Sequence, residues 1–184
     1  MSTAEVRTDL VLVDTTQTAT IHAPIDRVDV ADWLLNLPDA EYQRCAPPDH
    51  IAAGATTTDD GRPMSINVEQ VGGGLVVQHY VAEVHEAHHC HMVSISDLQT
   101  PLGWTTIQVI WDLVVTAVDE GSCQLTNLVI SHPTRAFLDA LQGAGQTFEE
   151  TARVLQDAVA DHNRRETPLF AASIERKARA AATV

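Results

Sequence analysis

The sequence predicts an α+β domain in which a seven-stranded, curved antiparallel sheet wraps around a long C-terminal helix. Three observations carry this. Between His50 and Ser131, six strand-like runs follow one another with only short turns between them. A seventh run, Leu10–Ile21, precedes them. After Pro133 the spacing turns helical, and one amphipathic segment is long enough to cover a sheet face. At 184 residues the chain suits a single domain, 1–184, with its core at about 10–165 and a helical extension at 166–184.

The opening run is rich in Val and Thr and stops at Ala23-Pro24. Asp26 is placed to cap a short helix with Val30, Trp33, Leu34 and Leu37 on one face, and Pro38 stops it. The proline-bounded stretch from Pro38 to Pro48 reads as a loop or a second short helix. The runs Ile51–Thr58, Met64–Val71, Leu75–Glu86, Cys90–Asp97, Trp104–Val118 and Cys123–Ser131 then form a meander. Turns fall at Asp59-Asp60-Gly61, Gly72-Gly73-Gly74, His88-His89 and Asp119-Glu120-Gly121, and a longer loop at Leu98–Gly103. Phe137, Leu138 and Leu141 mark a short helical stripe. Thr147 and Glu150 make a capping box for the last helix, whose stripe is Phe148, Ala152, Leu155, Val159 and His162, reaching about Arg165. Pro168 is expected to kink or restart it.

Charge narrows the function. There are 25 acidic and 11 basic residues, for a net charge of −14, and Lys177 is the one lysine. Full protonation of the nine histidines would leave the balance negative. Such a surface repels phosphate backbones and anionic lipid, so no nucleic-acid or membrane partner is expected. Cys45, Cys90 and Cys123 are few, odd in number and without CxxC spacing, which fits a reducing cytoplasm. No targeting segment is visible, and no apolar run approaches the roughly 20 residues a spanning helix needs. The expected location is cytoplasmic.

This element order, with the passage Ile21-His22-Ala23-Pro24, Val28 and Trp33-Leu34, resembles the START-like (SRPBCC) superfamily of polyketide cyclases, dehydratases and lipid-transport proteins. The resemblance covers roughly residues 10–165. It implies a helix-grip fold with an internal cavity for a hydrophobic, aromatic or polyketide-like small molecule. Two activities are open: cyclisation or dehydration of that molecule without metal or other cofactor, or carriage or sensing without chemistry. A cavity filled by the chain's own side chains is a third reading. A cone-shaped sheet of the ketosteroid-isomerase type ranks lower, because that fold starts with helices and lacks a long C-terminal one.

Strand alternation nominates the cavity wall. In Trp104–Val118 the odd positions, including Ile107, Val109 and Trp111, are apolar and should face inward. With a two-residue turn at His88-His89, Gln78, Tyr80, Ala82, Val84, His91, Val93, Ile95 and Asp97 share the inward face, and His79, Glu83, His85, Ser94 and Ser96 face water. Met64, Ile66 and Val68 join the wall, and Leu155 faces it from the helix. Buried polar groups need partners, so Tyr80 and Asp97 either bond each other or serve a ligand. As catalytic candidates, Tyr80 or His91 would orient a carbonyl while Asp97 or His162 moves a proton. His162, on the core stripe of the helix, reads first as a buried, hydrogen-bonded core histidine and second as a general base.

The run His85, His88, His89, Cys90, His91 has the atom types of a zinc or copper site. Neighbours on a strand diverge, however, and no second HxH or HExxH pair completes a set, so it reads as a polar hairpin tip and no metal is expected. Gly72-Gly73-Gly74 lies between strands, where no helix N-terminus can hold a phosphate. Ser131-His132 are adjacent and form no nucleophile–base pair. The apolar tail residues Leu169, Phe170 and Ile174 need burial, which favours a homodimer contact.

Overall fold

The computed structural model of the chain describes residues 4–101 and 103–180. The strands are β1 Val13–Ile21, β2 His50–Thr57, β3 Pro63–Val71, β4 Gly74–Glu86, β5 His89–Thr100, β6 Gly103–Asp119 and β7 Ser122–Pro133. They form one antiparallel sheet in the order β1-β7-β6-β5-β4-β3-β2. The helices are α1 Val30–Leu35, α2 Asp39–Cys45, α3 Arg135–Gly143 and α4 Phe148–Ala180. The predicted α+β architecture is therefore the observed one. Asp29, not Asp26, caps α1, its carboxylate accepting from the Asp32 N–H at 2.8 Å. Asp26 belongs to a short 3-10 turn before it.

The sheet faces decide the cavity, and here the sequence reading needs correction. The turn between β4 and β5 falls at Ala87-His88, with Glu86 paired to His89. A bulge at Glu83 then breaks the ladder between Ala82, opposite Met92, and Val84, opposite His91. One extra residue reverses which face the partner strand presents. Cys90, Met92, Ser94, Ser96 and Leu98 therefore point inward, and His91, Val93, Ile95 and Asp97 point out. β3 is also reversed: Ser65, Asn67 and Glu69 are buried, while Met64 and Ile66 lie on the outer face opposite Val81 and His79. Leu98–Gly103 is largely ladder, since Leu98 pairs with Thr105 and Thr100 with Gly103. Pro101 marks the turn, and Leu102 lies outside the described residues.

The second correction concerns the C-terminus. Helix α4 runs unbroken for 33 residues, about 50 Å at 1.5 Å per residue. Pro168 sits inside it on an exposed position, as does Arg164 one turn earlier, whose carbonyl loses its usual helical donor there. The extension beyond Arg165 is the most deeply buried part of the helix: Phe170, Ala171 and Ile174 are each 1% exposed. Phe170 packs against Trp33 and Trp111 of the same chain and Ile174 joins the same core, so neither needs a second copy for its burial, while Leu169 is 40% exposed. Trp33 Nε1–H donates to Ser173 Oγ at 3.1 Å, which ties α1 to α4. Among the described residues, no helix is long and apolar enough to cross a membrane.

Two outcomes follow from this packing. Phe170→Ala should cost about 3–5 kcal/mol in urea unfolding, because it opens a cavity between helix and sheet; a loss under about 1 kcal/mol would mean the tail does not belong to the core. Burial pushes the Cys45 and Cys90 thiols up to about 12. The thiolate is the reactive form, so both should resist a disulfide reagent at pH 8 in the native protein and react promptly once unfolded.

Candidate functional site

Between α4 and the concave face of the sheet lies a cavity that opens to solvent at its mouth, with about 80 Å³ of room for the centre of a water-sized sphere. Its walls are apolar: Val76 and Leu98 from the sheet, Ile107, Val109 and Trp111 from β6, and Leu155 and Val159 from the helix. A second hollow, bordered by Leu98, Pro101, Phe137 and Leu155, adjoins it near the start of α4. The wall residues of β6 alternate because its odd positions face in, as the sequence reading expected.

Two polar atoms in this wall lack a protein partner. Gln78 Oε1 and Ser131 Oγ are buried and have no hydrogen bond among the described residues. Tyr80, 2% exposed, lines the same wall. Burial, reinforced by the charges of Glu69 and Glu166, pushes its phenol well above the usual range. Tyr80 therefore stays a hydrogen-bond donor at neutral pH. Trp111 is satisfied, its Nε1–H donating to Asn127 Oδ1 at 2.9 Å.

The inner end of the cavity is a cluster of charge. His162 Nε2 lies 3.3 Å from Glu166 Oε2, one helical turn away, and 4.0 Å from Glu69 Oε2. Its Nδ1–H donates to Asp49 Oδ2 at 2.9 Å, and Asp49 is itself held by Arg165. His50, at the start of β2, points Nε2 at the same carboxylates: 3.2 Å from Glu166 and 3.8 Å from Glu69. Its ring stacks on Tyr42 with centroids 3.8 Å apart, and Nδ1–H donates to the Tyr42 carbonyl oxygen at 2.8 Å. The Tyr42 hydroxyl donates to Glu69, and Asn127 Nδ2 donates to Glu166 Oε1 at 3.1 Å. Burial alone would lower the His162 pKa, but Glu166, Glu69 and Asp49 outweigh it and the imidazole is raised. Glu166, though buried, is held below the usual carboxylate range by His162 and His50.

The structure sorts the predicted residues into two groups. Tyr80, His162, Gln78, Ile107, Val109, Trp111 and Leu155 all line the cavity. His91, Asp97, Met64, Ile66 and Ile95 do not; all lie on the outer face of the sheet, where Ile95 is 38% exposed. Asp97 contacts His79 at 3.3 Å, so the expected pair with Tyr80 does not exist. His91 Nδ1 lies 3.4 Å from Asp112, and His89 Nε2 is 2.7 Å from the same carboxylate. Sequence reasoning missed His50, Glu69 and Glu166. The spacing His162…Glu166 was the available signal, obscured by ending the helix at Arg165.

Comparison with known proteins bears on the fold alone. No family model matches the sequence, and no curated protein matches it. Among solved structures, the chain is similar to the Zhui aromatase/cyclase from a Streptomyces species: TM-score 0.66, 19% identity, 91% of this chain and 96% of that one. It is also similar to StfQ, a di-domain aromatase/cyclase of the steffimycin biosynthetic pathway, at TM-score 0.59 and 16% identity. There 97% of this chain covers 54% of the other, about half its length. A Thermobifida fusca protein matches at TM-score 0.51 and 18% identity, over 89% of this chain and 94% of that one. The chain thus has the START-like helix-grip fold.

The unpartnered wall atoms make a stability prediction. Ser131→Ala and Gln78→Met remove buried polar atoms that have no partner, so each should leave the ligand-free protein as stable or up to about 1 kcal/mol more so. Urea midpoints check this, and a loss above about 1 kcal/mol would reveal a partner for the removed atom.

Proposed function

We propose that this protein binds an apolar, polycyclic or polyketide-like molecule carrying oxygen functions, and promotes its cyclisation or dehydration. The observation that supports this reading is an apolar cavity lined by Tyr80 and by unpartnered polar atoms of Gln78 and Ser131, beside a buried cluster of histidines and carboxylates. Apolar walls favour the carbon skeleton at about 0.8 kcal/mol per buried methylene. The donor on Tyr80 and the acceptor on Gln78 select for oxygen and hydroxyl groups, since mismatched polar atoms would stay unpaired. Ring closure by attack of an enol carbon on a carbonyl carbon, with later loss of the new hydroxyl as water, needs a polarised carbonyl and groups that take and return protons. Tyr80 would take the first role and the Glu69–His162–Glu166 end the second. Carriage without chemistry is the second reading, and it shares the same cavity.

A hydroxynaphthalene probe separates these readings from a self-filled core. It should quench Trp111 and be seen bound by native mass spectrometry. Tyr80→Phe should weaken it about five-fold, the equivalent of roughly 1 kcal/mol for one hydrogen bond. Val109→Trp should abolish binding by filling the cavity. Failure of the unaltered protein to bind the probe, or full binding by Val109→Trp, would rule the cavity out as the site. With a poly-β-ketone substrate, water loss and new aromatic absorbance that depend on Tyr80 would favour catalysis; binding without turnover would favour carriage.

A further inference from the structure

We propose that His50, Glu69, His162 and Glu166 form a binding site for one divalent transition ion, with zinc the best match to their ligand types. The case begins with distance. His50 Nε2, His162 Nε2 and a Glu69 oxygen lie within 4.8 Å of one another. Glu166 Oε2 is 3.2 Å from one nitrogen and 3.3 Å from the other. Zinc bonds of 2.0–2.2 Å in tetrahedral geometry would separate ligand atoms by about 3.3 Å. Groups from the consecutive strands β2 and β3 and from the sequence-distant helix α4 converge on one point, the Glu166 contacts at that spacing and those of Glu69 at 3.8 and 4.0 Å.

Tautomer chemistry points the same way. A backbone carbonyl only accepts, so His50 must carry its proton on Nδ1, facing the Tyr42 oxygen. Its Nε2 then presents a lone pair, and that atom is buried with no hydrogen-bond partner among the described residues. His162 repeats the pattern, with Nδ1–H on the Asp49 carboxylate and Nε2 turned inward. A histidine held by a carbonyl or carboxylate on its far nitrogen is how metal-ligating imidazoles are oriented. Glu69 and Glu166 are held too, by the Tyr42 hydroxyl and by Asn127. Two carboxylates and two inward-turned imidazole nitrogens supply four ligand atoms, which a divalent ion would take by displacing the protons they hold.

Glu69, His162 and Glu166 also line the cavity, so a bound molecule's oxygen could reach an open coordination position there. That link to a substrate carbonyl rests on the cavity reading above; the metal site itself rests on the four side chains alone. The outer-face group His89, His91 and Asp112 is the competing site. It is only half-buried, and its histidines already contact Asp112 at 2.7 and 3.4 Å.

The full chain carrying His91→Ala, dialysed against a chelator, is titrated with zinc against a chromophoric competitor. One equivalent should bind. Asp49→Asn should weaken it about 10–100-fold, as loss of an outer partner does, and His50→Gln or His162→Gln by more. No binding by the His91→Ala chain, or unchanged affinity in both histidine variants, would overturn the proposal. Should the histidine variants fail to fold, zinc-edge X-ray absorption on the His91→Ala chain decides. Two imidazoles with carboxylate oxygens support the site, and any other ligand set refutes it. Binding of the hydroxynaphthalene probe by the chelated protein would keep the cavity reading intact even if zinc does not bind.

Discussion

Glu166 is buried in the middle of α4, 5% exposed, and a carboxylate there costs several kcal/mol unless hydrogen bonds and opposite charge surround it. Much of the interior is arranged to meet that demand. Asn127 on β7 is completely buried and gives one Nδ2 proton each to Glu166 and Thr167, while its oxygen takes the Trp111 N–H. The same residue therefore fixes the helix to the sheet and sets the tilt of an indole in the cavity wall. On the other side of the carboxylate stand His162 and His50, each locked by a partner on its far nitrogen. Removing any one of these groups would strand the next.

That constraint explains why the polar groups collect at one end. The short helices α1 and α2, together with the start of β2, close that end of the grip, and they bring Tyr42, Asp49 and His50 with them. Their charged outer edge is clamped to the end of α4, where Arg176 reaches Glu41 and Lys177 donates to the Asp32 carbonyl at 2.8 Å. The opposite end, near Pro101 and Phe137, has no such cluster and carries the second hollow.

The two histidine-containing groups differ for a physical reason that their sequence does not display. His89 and His91 share a face because alternate strand positions do, and Asp112 pairs directly opposite His91. They remain on the wet side of the sheet, where water screens and competes. His50 and His162 are 112 positions apart and look unrelated in the sequence, yet they meet in a dry interior. Low dielectric makes the same atom types far more consequential there.

Periodicity and composition by themselves determined the strand count, the meander, the covering helix and the inward face of β6, because each depends on local spacing and on which residues tolerate water. Tyr80, Trp111, Gln78 and His162 were legible for that reason. The faces of β3 and β5 were not, because one bulged residue at Glu83 reverses a strand without leaving a mark in the pattern, and because β3 buries its polar side where partners await. Nor was the role of residues beyond Arg165. Proline usually stops a helix, but 168 lies on the exposed side, and burial of Phe170 and Ile174 just beyond it carries the helix on. Only the tertiary structure could join His50, Glu69 and Glu166, since their meeting depends on three elements crossing at one point and on no spacing within the chain.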